Sequence, residues 1–161
     1  MPALAGGSRL NADGWIAYNS GMDAYDPRYL AGILLFNEQD FFEAHEVWED
    51  LWADSHGTER RFYQGLIQAA VGLCHFCNGN LGGAVKLYRS SRDYMEPCGS
   101  PFLGLDSAAF WRQMECCFQP LLGATAPERS TRPDPALVPV IALDPPPSAW
   151  PDPADYLSDE A

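Results

Sequence analysis

FYQGLIQAAVGLCHFC, Phe62 to Cys77, is apolar on almost every side when wound as a helix, with Gln64, Gln68 and His75 as the exceptions. A helix that is hydrophobic all round lies inside a protein or a membrane. No apolar run in this chain approaches the roughly 18 residues that a membrane span requires. The stretch is therefore predicted to be the central helix of a packed bundle, and the sequence around it must supply the helices that cover it.

Those helices are legible from their start and stop signals. Asp26-Pro27 reads as an N-cap followed by proline at the first helical position, opening a helix that ends near Phe36-Asn37. A second is predicted from Asp40 to about Asp54, with Asp40 and Glu43 spaced as a capping box, and Ser55-His56-Gly57 breaks it. The central helix then runs from about Thr58 to Phe76 or Cys77 and stops at Asn78-Gly79. A fourth covers Leu81 to Met95, before Pro97; a fifth follows Asp106 and is predicted to end at Phe118, before Pro120. Five helices, short connections and no strand pattern predict an all-α fold, a single compact array or bundle.

Three segments follow. Residues 1–25 read as an irregular N-terminal arm and residues 26–119 as the helical domain. Residues 120–161 hold ten of the fourteen prolines, which rules out sustained helix. That tail also carries Val138, Val140, Ile141, Leu143, Trp150, Tyr156 and Leu157, more apolar side chains than a solvated linker needs. It is expected to lie extended across the core or to dock a partner.

The formal net charge of −12 disfavours nucleic-acid binding, which needs a positive footprint, and docking on anionic membrane. The N-terminus has no basic start followed by an apolar core, so a cytoplasmic protein is the expectation. An odd five cysteines fit reduced, mostly buried thiols. Cys74-His75-Phe76-Cys77 has CxxC spacing, but no second CxxC completes a zinc site.

The second helix places Phe41, Ala44, Val47, Trp48, Leu51 and Trp52 on one broad face, with Glu43, Glu46 and Asp50 opposite. His45 and Glu49 stand one turn apart at the margin of that face, where side chains can touch or share a ligand. On the central helix, Arg61, Gln64, Gln68 and His75 form a polar stripe, and buried polar groups need partners. Two readings stay open. In the functional one, His45 and Glu49, with His75 as a further ligand, hold a divalent metal, or Glu49 orients His45 as a general base. The surrounding Glu46, Arg61, Gln64, Gln68, Trp48 and Trp52 then line a binding pocket. In the other, Glu49 pairs with Arg61 or His45 and the glutamines bridge, making a hydrogen-bond network that joins two helices. His45-Glu46 begins like the HExxH zinc helix, but Glu49 stands where its second histidine belongs.

The runs LFNEQDFFEAHEVWEDLW and RRFYQGLIQAAVGLCHFCNGNLGGAVKLY resemble a bacterial and archaeal family, domain of unknown function 309. The resemblance covers roughly Tyr29 to Met95 and implies a small all-helical protein. It carries over Glu43, His45, Glu46, Glu49, Gln64 and Gln68 as the motif's polar residues, and it implies a metal-dependent hydrolase as one function. The alternative is a non-enzymatic helical interaction module. Its partner would be a small molecule, a protein or a second copy of the chain in a homo-oligomer.

Overall fold

A computed structural model describes residues 9–10, 16–17 and 25–158 of the chain. Its helices are α1 (Pro27–Asn37), α2 (Phe41–Ala53), α3 (Gly57–Cys77), α4 (Leu81–Met95) and α5 (Ser107–Leu122). The all-α class is as expected. Ahead of α1, Arg9–Leu10 and Ile16–Ala17 pair as short antiparallel strands, β1 and β2, where the sequence reading expects irregular chain. The rest of the expected arm up to residue 24 lies outside the described residues.

The central position of α3 follows from its composition. It packs against both α2 and α4, and Phe62, Leu66, Ala69, Ala70, Leu73 and Phe76 are wholly buried. The α1–α2 pair is set by one small residue. Gly32 faces the Trp48 ring so closely that a β-carbon there would run into it. Trp48 is 0% exposed, and its indole N–H donates to the Tyr29 carbonyl at 3.2 Å.

Asp26 caps α1 as its position predicts, accepting the Arg28 N–H at 2.8 Å. The capping box expected at α2 does not form, because Asp40 makes no side-chain cap bond. The reason lies in the preceding turn. Gln39 adopts a left-handed φ of 67°, which lets the Asp40 N–H donate to the Leu35 carbonyl at 2.9 Å. The amide that Glu43 would have bonded is already used. Gly57, at φ 63°, supplies the left-handed entry into α3 after His56.

α5 overruns its expected end. It passes through Pro120 to Leu122. Proline removes one helical donor, but here the loss falls in the last turn, and continuing the helix brings Leu121 into the core at 6% exposure. The thiols also depart from expectation. All five are free, yet only Cys117 is buried, while Cys77 and Cys116 are exposed.

The tail returns across the bundle. At the end of α1, the Asn37 side chain accepts the Ile141 N–H at 2.8 Å and donates to the Ile141 carbonyl at 2.9 Å. Val138, Ile141 and Leu143 are buried there. Leu143 bridges to Leu105, the Asp144 N–H donates to the Gly104 carbonyl, and the Tyr25 hydroxyl donates to the Pro145 carbonyl at 2.7 Å. A short 3-10 turn, Pro153–Tyr156, finally reaches α1.

Candidate functional site

The polar residues singled out from sequence do not gather in one place. His45 and Glu49 do meet, on the outer margin of α2. The His45 Nδ1 lies 2.6 Å from the Phe42 carbonyl, and its Nε2 lies 3.7 Å from Glu49 Oε1. A carbonyl only accepts, so Nδ1 carries a proton in that bond, and in the neutral form of the ring Nε2 is then the nitrogen with the free lone pair. A histidine acceptor and a carboxylate therefore stand side by side. The His45 side chain is 16% exposed and that of Glu49 is 57% exposed, so the pair opens to solvent on the Glu49 side. The Phe42 ring packs against His45 with centroids 4.9 Å apart and planes tilted by 57°, and is itself exposed.

The central-helix stripe divides. Arg61 turns away from Glu49: it donates to the Asp93 carbonyl at 3.4 Å and lies over Tyr94 at 5.0 Å. With Trp52, Gln64 and Arg60 it lines a shallow groove of about 250 Å³. There the Arg60 guanidinium stacks 3.8 Å over Trp52. His75 belongs to the α3–α4 turn, where its Nδ1 contacts the Asn80 amide nitrogen at 3.3 Å. Gln68 Oε1 is buried with no hydrogen-bond partner. Trp48 is a core side chain with its one polar atom already used. Glu46 lines a cleft with Glu49, Asp50, Tyr156 and Leu157, so the end of the tail borders the outer face of α2. Among the described residues, no hydrogen bond links His45 or Glu49 to α3, and the expected helix-joining network is not formed.

A resident metal does not fit this arrangement. A protein-built zinc site takes three or four donors, and only His45 and Glu49 come within ion-pair distance of each other here. Among the described residues, no three His, Cys, Asp or Glu side chains are grouped to hold an ion. The CxxC pair offers no better one. Cys77 is exposed at the surface, but partial desolvation by the side chains packed around its sulfur, reinforced by the neighbouring Cys74, raises its thiol above the ordinary value, which disfavours the thiolate a metal requires.

Sequence reasoning passed over a second place. Between the end of α4 and the start of α5 lies a cavity of about 290 Å³, walled by Arg92, Met95, Ser107, Trp111, Arg112 and Glu115 among others. Among the described residues, three buried side-chain atoms lack a hydrogen-bond partner, and two of them, Ser107 Oγ and Trp111 Nε1, are on residues that line this cavity. The only signal in the sequence is a serine one turn before a tryptophan on the same helix.

Residues 29–87 match the family described as "Domain of unknown function (DUF309)". An uncharacterized protein of Aquifex aeolicus (strain VF5) is 32% identical over 72 residues, covering 44% of this chain and 22% of that protein. Uncharacterized protein YpuF of Bacillus subtilis (strain 168) is 30% identical over 99 residues, covering 59% of this chain and 57% of that one. The matches thus span less than two thirds of either relative. The crystal structure of a conserved hypothetical protein from Thermus thermophilus aligns with a TM-score of 0.50 at 27% identity, covering 55% of this chain and 92% of that chain. The resemblance read from the FEAHE and QGLIQ motifs is borne out, and all these relatives are themselves uncharacterised.

Proposed function

We propose, starting from the DUF309 match over residues 29–87, that this chain is a binding module acting without a resident metal, with His45 and Glu49 as its contact pair. The observation that carries this reading is the 2.6 Å contact of His45 Nδ1 with the Phe42 carbonyl. It fixes the tautomer and leaves Nε2 beside the Glu49 carboxylate. Two acceptors at 3.7 Å attract a group that donates hydrogen bonds to both, such as an ammonium or two neighbouring hydroxyls of a small molecule. The same lone pair is placed as a general base would be. No nucleophile or third polar side chain is bonded to the pair among the described residues, so binding is the reading that the residues complete.

The test joins metal analysis of purified protein to a melting screen against small amines and alcohols. The expectation is no stoichiometric metal, together with a ligand-induced rise in Tm that is lost in both His45→Ala and Glu49→Gln. A stoichiometric divalent ion released by His45→Ala would sink the proposal and restore the hydrolase reading. One observation favours the runner-up, a protein-interaction module: Phe42 is 55% exposed where it packs beside His45. Under that reading Phe42→Ser changes sedimentation behaviour and Glu49→Gln does not.

A further inference from the structure

The α4–α5 cavity contains features that packing alone does not explain. Ser107 and Trp111 are 6% and 7% exposed, and Ser107 Oγ and Trp111 Nε1 both lack a partner among the described residues. Buried polar atoms in folded proteins are nearly always satisfied, so two orphans on one wall call for an explanation. An indole nitrogen can only donate, so its missing partner is an acceptor. Ser107 and Trp111 are four residues apart on α5 and therefore share a face. One planar group with two acceptor oxygens can serve both.

The charges around the cavity define that group further. Arg92 lies 5.9 Å over the Trp111 ring, and Arg112 is on the wall beside it. Neither arginine forms an ion pair among the described residues, and two guanidinium groups favour a carboxylate over a neutral carbonyl. Glu96 and Glu115, also in the wall, have no ion-pair partner among the described residues and can receive a cation. The Trp111 ring supplies the apolar side of the wall, with Met95 packed behind it in the core. The volume of about 290 Å³ is at the small end for ligand sites, which suits a metabolite.

We infer that the cavity formed by Arg92, Met95, Ser107, Trp111, Arg112 and Glu115 binds a small zwitterion of the amino-acid type with an apolar side chain. Its carboxylate accepts from Ser107 Oγ–H, Trp111 Nε1–H and the arginines, and its ammonium meets the glutamates. The orphan atoms are not open to solvent, so binding includes a shift of the wall to admit the carboxylate, with Arg92, 5.9 Å over the indole, as the side chain that moves. Every residue named lies beyond residue 87, outside the stretch that matches the family. The site is separate from the His45–Glu49 edge.

The experiment uses the full chain titrated with L-leucine and L-phenylalanine. Calorimetry gives the affinity and the Trp111 indole N–H resonance, assigned by its loss in Trp111→Phe, gives the location. N-acetyl-L-leucine keeps only the carboxylate and L-leucinamide only the ammonium. The expected result is a shift of the Trp111 resonance with both amino acids and affinities roughly tenfold or more weaker for both blocked probes. Arg112→Gln, at an exposed position where folding is not at risk, should weaken L-leucine binding to a similar degree. The inference is overturned if neither amino acid moves the Trp111 resonance at millimolar concentration. It is equally overturned if N-acetyl-L-leucine binds as well as L-leucine, or if Arg112→Gln leaves the affinity unchanged.

Discussion

Gly32 shows how one residue sets an interhelical distance. With hydrogen in place of a β-carbon, α1 can meet the face of Trp48 while the indole N–H still reaches Tyr29. Gly32→Ala should gain helix propensity but force the ring or the helix aside. Overpacking of this kind typically costs about 1–3 kcal/mol, which exceeds the roughly 1 kcal/mol propensity gain at most sites. Urea unfolding should show a net loss of stability; an unchanged midpoint would mean that Trp48 has room to move. Cys117 makes a second case at this scale. Burial pushes its thiol from 9.0 up to about 12. The folded chain then keeps the proton that the unfolded chain releases above pH 9. Unfolded protein binds fewer protons in that window, so stability falls as pH rises from about 9 towards 12. Cys117→Ala should flatten that decline in a pH series of melting curves. A thiol reagent near neutral pH should meanwhile label Cys77 and Cys116 before Cys117, given their exposure.

Helix ends separate what is readable locally from what is not. Asp26 and Asp40 look alike in sequence, yet only Asp26 caps through its side chain. Asp26→Ala should therefore cost about 1 kcal/mol, while Asp40→Ala should cost no more than a few tenths. Asp26→Asn tells the cap from the ion pair, because it keeps the acceptor for the Arg28 N–H but removes the charge that, with Asp54, holds the Arg28 guanidinium. Equal losses at positions 26 and 40 would contradict this account. The periodicity of α1 to α5 was legible because it depends on neighbours three and four residues away. The failed capping box was not, because it turned on an amide already bonded across a turn to Leu35. The site followed the same rule. His45 and Glu49, one turn apart, were paired correctly from spacing. The partners of Arg61 were not, since Asp93 and Tyr94 reach it from α4, more than thirty residues later. The cavity at Ser107 and Trp111 was least legible of all, because it exists only where α5 docks beside the end of α4.

At the scale of the molecule, the tail changes which surfaces the helices present. The Thermus thermophilus structure is matched over 92% of its chain but over only 55% of this one, so much of this chain is additional to what the two share. In the tail, Val138, Ile141 and Leu143 are buried, and the Asn37 amide acts as a clasp, holding Ile141 by both its backbone groups. Each hydrogen bond contributes roughly 1 kcal/mol net, so Asn37→Ala should cost about 2 kcal/mol if the tail stays docked. If the tail instead detaches, the loss appears as local opening, since the helices keep their own contacts. Limited proteolysis distinguishes these outcomes. Under the clasp account, Asn37→Ala accelerates cleavage between residues 134 and 145 while residues 27–122 stay intact. A chain ending at Gly123 should then uncover the apolar surface that Val138, Ile141 and Leu143 occupy, and contiguous exposed apolar surface promotes association. Sedimentation should show self-association of the shortened chain that a synthetic peptide of residues 134–158 reverses. If the shortened chain keeps the sedimentation behaviour of the full one, and Asn37→Ala keeps its cleavage pattern, the tail is a passenger and not a cover.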